Sequence, residues 1–345
     1  MSQYFEVTAV SGGGDMLDRV GIEEGVRTVS IKMKRNISLI KDFIALINLI
    51  YLFLKEKPEI VHTHTPKAGL LGMVAAWITR IPVRMHTVAG MPLMESSGLK
   101  RKILNMMEIV TYKCAHMIYP NSKGLLQFIV ENNFTNPKKL KLIGNGSSNG
   151  INLDYYNPVE ISEDEVNKIR SKYKLTKQDF IFIIIGRVVK DKGVEELVSA
   201  FNRLSSENNS VKLFILGRFE EKLDPISSEI KDIIKNNDNI LYAGYQTDIR
   251  PFLKTSNVLI HPSYREGFPN VVLQASAFNL PCIVSDINGN NEIIQDNLNG
   301  LIVSVKSSDE LYKQMSKIYN DPKLLTKLKQ KSRKFIEDRF EQNYV

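Results

Sequence analysis

Two doubly wound α/β units are what this sequence predicts, and three observations carry the prediction. Apolar, strand-like runs alternate with amphipathic stretches along the chain, the pattern of strands paired with crossover helices. Phe180–Ile185 is apolar at every position, as a strand buried on both faces of a parallel sheet must be. The 345 residues exceed one ordinary core, and the turn-forming run Gly144–Gly150 supplies a joint. The expected domains are 1–150 and 151–345, each a Rossmann-like parallel sheet, facing one another across a cleft. A ligand is expected there, at the strand C-terminal edges.

The first half gives the following order. Phe5–Val10 reads as a strand running into the glycines 12–14, and Val26–Ile31 as a second strand. Ile37–Lys55 reads as a long helix, Ile60–Thr63 as a short buried strand, Ala68–Thr79 as a helix and Val83–Val88 as a strand. Leu99–Cys114 follows as a helix, Met117–Pro120 as a strand, Lys123–Glu131 as a helix entered through Asn121-Ser122, and Leu140–Ile143 as a last strand. In the second half, strands are expected at Phe180–Ile185, Val211–Leu216, Ile240–Ala243, Val258–His261, Cys282–Ser285 and Leu301–Val303. Helices are expected at Ser162–Tyr173, Val194–Leu204, Ser227–Lys235, Ile249–Lys254 and Pro269–Ala277.

Composition is ordinary for a globular protein, with 43% hydrophobic and 24% charged residues. Charge is uneven. Residues 1–150 carry 19 basic and 11 acidic side chains, and the remainder is neutral. The excess reads either as a solvated surface or as a face for an anionic partner, a phospholipid surface or a pyrophosphate-linked acceptor. Nucleic acid is not expected, because the basic residues are scattered and carry no nucleic-acid motif. Cys114 and Cys282 stand alone in apolar runs and read as buried, reduced thiols. The first ten residues lack the pattern of a signal peptide. Ile37–Leu54, the most apolar stretch, is interrupted by Lys41, Asp42 and Asn48, which suits a buried amphipathic helix better than a membrane span.

Two strings carry chemistry. Gly186-Arg187-Val188-Val189-Lys190-Asp191-Lys192-Gly193 follows a buried strand and opens a helix. Two cations beside free backbone N–H groups make a diphosphate site; the alternative is two solvated basic residues on an ordinary loop. The second string is His261-Pro262-Ser263-Tyr264-Arg265-Glu266-Gly267-Phe268-Pro269-Asn270-Val271-Val272-Leu273-Gln274. Glu266 falls in a strand-to-helix loop, Gly267 permits a tight backbone, Pro269 suits a first helical turn, and Gln274 lies about a turn further in. A carboxylate and an amide so placed suit a ligand rich in hydroxyls.

These strings, with Gly146–Ile151, resemble glycosyltransferase family four, retaining enzymes of GT-B architecture. His62-Thr63-His64-Thr65-Pro66-Lys67-Ala68-Gly69 and Glu266–Asn270 are similar to the subgroup that builds bacterial capsular and exopolysaccharide repeat units. The resemblance implies that Arg187 and Lys192 hold the diphosphate of a nucleotide-sugar donor, a UDP-sugar, while Glu266 grips the transferred hexose or N-acetylhexosamine from the opposite wall. It places the backbone of Gly267, Phe268, Pro269 and Asn270 against sugar and phosphates, Gln274 at the ribose, and Gly244 and Tyr245 near the base. It implies a polyprenyl-diphosphate-linked saccharide acceptor and a cytoplasmic enzyme, peripheral at the inner face of the cytoplasmic membrane. No cofactor or metal is expected, in keeping with the lack of any Asp-x-Asp.

The sequence also departs from the family pattern. Gln274 stands where relatives carry a second glutamate, and Ala89 where many carry a histidine. His64 then becomes the candidate to approach the reacting centre, with a structural hydrogen bond as its alternative; His62 and His86 read as structural. The family's opening strand, glycine loop and helix find no match ahead of Phe5, and its final helix none after Val345. The first sheet is therefore expected to lack a strand and to expose a hydrophobic face. Two other functions stay open: a non-catalytic nucleotide-sugar-binding remnant, and a sugar-nucleotide 2-epimerase of the same architecture.

Overall fold

The computed structural model describes residues 4–33, 38–222 and 224–344. The chain forms two compact units, Met1–Asn121 with Leu125–Lys141, and Ser122–Gly124 with Leu142–Val345.

The first unit contains, in order, β1 (Thr8–Ser11), α1 (Asp15–Glu24), β2 (Arg27–Ser30), α2 (Leu39–Glu56), β3 (Ile60–His64), α3 (Pro66–Ile78), β4 (Val83–Val88), α4 (Gly98–Cys114), β5 (Met117–Pro120) and most of α5 (Lys123–Glu131). All its strands run parallel, but in two sheets. β1 pairs with β2, and β3, β4 and β5 form the other; among the described residues no ladder joins the two. One core holds the unit together, with Met73, Tyr112, Ile118, Leu125 and Ile129 fully buried.

α2 shows how that core is made and where it stops. Its start is fixed by Asp42, whose carboxylate accepts from the Ser38 N–H at 3.0 Å and from Lys67 Nζ at 2.7 Å. Ala45, Leu49 and Phe53 then fall on one face and are buried. Leu39, Ile40, Phe43, Ile44, Ile47, Tyr51 and Leu54 fall on the other and are exposed, so this helix carries a bare apolar face. Ile37, the expected first residue of this helix, lies outside the described residues.

Two expectations need correction. Leu140–Ile143 is not a strand: only Leu140 bridges to Ile118, with Lys141 N–H donating to the Ile118 carbonyl at 3.0 Å. The chain then leaves the sheet at Gly144, whose φ of +53° no strand adopts. Conversely, α1 was hidden by the glycine run before it, since a single buried residue, Leu17, marks its inner face.

The second unit contains α6 (Glu163–Lys172), β6 (Phe180–Ile185), α7 (Val194–Glu207), β7 (Val211–Leu216), α8 (Ser228–Asn236), β8 (Ile240–Gly244), α9 (Arg250–Thr255), β9 (Val258–His261), α10 (Asn270–Ala277), β10 (Cys282–Ser285), α11 (Asn290–Ile293), β11 (Gly300–Val303), α12 (Ser308–Asn320) and α13 (Pro322–Phe340). Its six strands make one parallel sheet in the order β11-β10-β9-β6-β7-β8. A core covers each face, one around Ile183, Phe214 and Leu259, the other around Phe182, Phe201 and Ile260. α6 starts at a capping box, Ser162 with Glu165. α12 and α13 were not expected. Ser307 caps the first, and Asp321 with Pro322 opens the second.

The turn-forming run before Ile151 belongs to this unit by its contacts, and its end is pinned. Ile151 N–H donates to the Phe340 carbonyl at 2.8 Å, and Gln342 N–H to the Ile151 carbonyl at 3.0 Å. Cys114 and Cys282 are both free and buried. No helix among the described residues is long and apolar enough to cross a membrane.

Candidate active site

The six-stranded sheet reverses its winding between β6 and β9. From β6 the order grows outward through β7 and β8, and from β9 through β10 and β11, while β6 and β9 pair directly. Loops that leave such a switch point diverge at the C-terminal edge of the strands, and the crevice they leave is where open α/β sheets bind ligands. Both chemistry-bearing strings start there, one after β6 and one after β9.

The two loops are fastened together by backbone. Tyr264 N–H donates to the Asp191 carbonyl at 2.8 Å, and Ser263 Oγ to the same carbonyl at 3.1 Å. Gly193 begins α7 with φ +67°, and a Cβ there would stand 2.2 Å from the Pro262 carbonyl oxygen. Only glycine fits both that backbone conformation and that approach.

Glu266 is the centre of the site. Lys192 Nζ donates to its Oε1, and His261 Nε2 donates to the same oxygen at 3.0 Å. An ionised carboxylate only accepts, so the His261 proton is on Nε2. Burial alone would raise the Glu266 pKa. The hydrogen bond and charge of His261 and the charge of Lys192 outweigh burial and hold this carboxyl well below the usual carboxylate range. Oε2 accepts no hydrogen bond among the described residues, which leaves its lone pairs for a ligand. Lys192 and Glu266 therefore do not face one another from opposite walls; they are joined on one edge of one sheet.

The backbone after Glu266 is held from below. Asn288 Nδ2 donates to the Glu266 carbonyl at 3.2 Å and to the Gly267 carbonyl at 3.1 Å. Gly289 closes the space beneath, since a Cβ there would lie 2.4 Å from the Gly267 oxygen. Phe268 is buried against the Phe340 ring, centroids 5.2 Å apart. Pro269 is the cap of α10 and Asn270 its exposed first residue. Gln274, one turn on, donates from Nε2 to the Tyr156 hydroxyl at 2.8 Å.

Arg187 takes a different set of partners from Lys192. Its guanidinium meets Glu220 at 3.4 Å and Asp191 at 3.8 Å, and Asp191 also accepts from Arg265 at 3.0 Å. Arg187 and Lys192 are thus held by separate carboxylates. Gly244 ends β8 and Tyr245 follows it, two strands from β6, on the order of 10 Å along the same sheet edge. The Tyr245 ring is exposed, with the Arg218 guanidinium 4.6 Å from its centroid. A broad surface depression lined by Asn202, Ser206, Lys212, Asp232 and Asn239 lies at the other, N-terminal edge of the strands and shares none of these groups.

His64 ends β3 in the first unit. His62 Nε2 is 2.8 Å from Thr87 Oγ1, and His86 Nδ1 is 2.8 Å from Thr63 Oγ1, so both are engaged. His64 has no hydrogen bond among the described residues and stacks on His62, centroids 4.4 Å apart. Burial lowers the pKa of all three. His62 and His86 fall to about 4, burial being followed by the charge of neighbouring histidines. The His64 imidazole is accordingly neutral at pH 7 and both accepts and donates. Ala89 is exposed just beyond β4.

Sequence reasoning missed His261 and Asn288. His261 stood in the string unassigned; its position as the last residue of a buried strand, five before the carboxylate, was the available signal. Asn288 gave none, because it comes from a separate loop. Among the described residues no three His, Cys, Asp or Glu side chains converge as a metal requires.

Known proteins match along most of the chain. Residues 165–335 match the family model described as glycosyl transferases group 1, and residues 2–146 the glycosyl transferase 4-like domain. The chain is 34% identical over 316 residues to the capsular polysaccharide biosynthesis glycosyltransferase CapM of Staphylococcus aureus, covering 91% of this chain and 81% of that protein. It is 30% identical over 305 residues to the UDP-Gal:alpha-D-GlcNAc-diphosphoundecaprenol alpha-1,3-galactosyltransferase of Escherichia coli, covering 87% and 76%. In structure it is similar to Anabaena Alr3699/HepE, solved in complex with UDP and glucose, with a TM-score of 0.81 at 14% identity over 97% of this chain and 88% of that one. A fold of GT-B type, two family models end to end and relatives at this identity together make the chain a member of glycosyltransferase family four.

Proposed function

We propose that this glycosyltransferase moves a hexose or N-acetylhexosamine, with retention, from a UDP-sugar to a lipid-linked saccharide in bacterial cell-surface polysaccharide synthesis. The observation that carries the reading is the Glu266 carboxylate, kept ionised at the sheet's switch point by Lys192 and His261 with one oxygen to spare. A diphosphate arriving at this edge competes with Glu266 for Lys192. As Lys192 turns to the phosphate, Oε1 keeps only its bond from His261, and the carboxylate is left with room to accept from sugar hydroxyls. The ligand thus supplies both partners that the pair loses.

Transfer then needs no protein nucleophile. The bond from the anomeric carbon to the β-phosphate oxygen breaks as the acceptor oxygen bonds to that carbon on the same face. The acceptor's proton passes to the departing diphosphate. Lys192 and Arg187 stabilise the charge that grows on the leaving group, in the role a metal takes elsewhere. Gln274 and Asn270, four residues apart on one face of α10, serve the ribose and phosphates, and Tyr245 the base. His64 offers a neutral hydrogen-bonding group to the sugar or acceptor. The named relatives support the donor and the acceptor: one uses UDP-Gal, a diphosphoundecaprenol-linked sugar receives it, and another builds capsule. A lipid-linked acceptor supports a reaction at a membrane, which on this proposal is the inner face of the cytoplasmic membrane.

The test is a donor panel with and without undecaprenyl-diphosphate-linked GlcNAc, scored by released UDP. The expected result is release that requires the lipid acceptor and is lost in Glu266→Ala. Failure of UDP to bind at all sinks the reading. An altered free nucleotide sugar with no acceptor present gives it to the epimerase class instead.

A further inference from the structure

We propose that Tyr156 is a positioning residue whose hydroxyl holds the Gln274 amide so that its carbonyl oxygen, and not its NH2 group, faces the ligand, which deepens the placement of Gln274 at the ribose and rests on it. A glutamine ends in two groups of similar size and opposite hydrogen-bonding sense, and a half-turn about its last bond exchanges them. An unheld Gln274 would meet a ligand as an acceptor in one state and as a donor in the other. A carboxylate in its place would have no such choice, because both its oxygens accept.

One contact makes the choice here. Gln274 Nε2 donates to the Tyr156 hydroxyl at 2.8 Å, and Oε1 accepts no hydrogen bond among the described residues. Both residues are half-buried, and each stands on fixed backbone. On α10, Leu273 and Ala275 flank Gln274 and are fully buried, so the helix is not free to roll. Tyr156 comes from the stretch between Ile151 and α6. Its N–H donates to the Asn152 carbonyl at 2.9 Å, and its side chain packs on the core that holds Leu273 and Ala277. Arg333 ties the two elements together. It donates to the Tyr156 carbonyl at 2.9 Å, to the Leu153 carbonyl at 3.0 Å and to the carbonyl of Ala277, the last residue of α10, at 2.6 Å. Burial, ahead of the neighbouring Tyr155, raises the Tyr156 pKa from its ordinary 10, so the partner of the amide is a neutral hydroxyl at pH 7. With the NH2 group spent on Tyr156, the open end of Gln274 is an acceptor, suited to a ligand hydroxyl that donates.

The test is calorimetry on the whole chain with UDP and with its 2′-fluoro and 3′-fluoro analogues, in which a group unable to donate replaces a ribose hydroxyl. The unaltered protein should bind at least one analogue on the order of 10-fold more weakly than UDP. Tyr156→Phe frees the amide to turn its NH2 group toward the fluorine and should bring the two affinities close to equal. Adding Gln274→Glu to Tyr156→Phe should restore the preference for UDP, since a carboxylate accepts in either orientation. A ratio of affinities cancels any general loss of binding, so a merely structural role for Tyr156 would leave it unmoved. UDP bound with no preference over either analogue, a preference that survives Tyr156→Phe, or one that Gln274→Glu does not restore overturns the proposal and leaves donor binding standing. Absence of UDP binding by the unaltered protein overturns the donor reading, and this proposal with it.

Discussion

The two units are built from the same grammar and close their cores to different degrees. In the second, one continuous six-stranded sheet has a packed core on each face, and its large exposed apolar side chains are few and scattered. In the first, the strands fall into two sheets over one core, and α2, α3 and α4 each turn large apolar residues outward. Burial of apolar area is the main stabilising term in folding, so the second unit is the stable one. The first presents surface that soluble proteins reserve for partners. The Lys192–Glu266–His261 cluster sits on the closed unit, where charges can be fixed.

Substitutions test this contrast. The largest effect is expected inside the closed core. Phe214 is fully buried between Tyr173 and Phe252, with centroids 5.1 and 5.4 Å away, and Phe214→Ala should cost about 3–5 kcal/mol in urea unfolding. A loss under 1 kcal/mol would mean that the second unit is no better packed than the first. Next comes Glu266→Gln, which keeps shape and removes charge. Transfer should fall roughly 100- to 1,000-fold, read as kcat, with the protein still folded.

Acid and base should then act on the units with opposite sign. The folded pKa of Glu266 is depressed from its ordinary 4.5, so the unfolded chain takes up the proton first. Its contribution is present above pH 4.5 and is lost as the pH falls below that value. Glu108, in the first unit, goes the other way. Burial raises its pKa from 4.5 to about 6, and the Tyr112 hydroxyl offsets this only in part. The folded state then holds the proton longer, and stability is lost as the pH rises from 4.5 to 6. Glu108→Gln should remove that loss and gain about 2 kcal/mol at pH 7, measured as chemical denaturation against pH. No gain would mean that the carboxylate has a partner in the folded chain. Smallest of all is Ile47→Ser on the bare face of α2, expected within about 0.5 kcal/mol; a larger loss by thermal unfolding would show that this face is covered in solution.

The second unit was the more legible in sequence, for a physical reason. Strands buried on both faces, such as Phe180–Ile185, must be apolar at every position, and glycines where loops touch, such as Gly193, admit no other residue. The loop after β9 also declared itself, because Glu266-Gly267-Phe268-Pro269 combines charge, tight backbone and a helix start. What stayed hidden was the pairing. That Lys192 and His261 share one oxygen of Glu266 depends on which strands are neighbours, and strand order is not written in local periodicity. α12 and α13 were missed although capped, since their apolar residues are sparse and their surfaces highly charged. In the first unit, α1 buries too little to leave a signal, and Leu140 alone could not mark a strand.

The Lys192–Glu266 pair has a consequence for choosing among ligands. A sulfate ion offers charge to the lysine but no proton donor to the carboxylate, so its capture would strand a negative charge beside another. A nucleotide sugar would satisfy both members at once. On the donor reading proposed above, self-neutralisation of the pair would work as a filter, favouring molecules that bring hydroxyls along with their phosphates over simple anions that bring none.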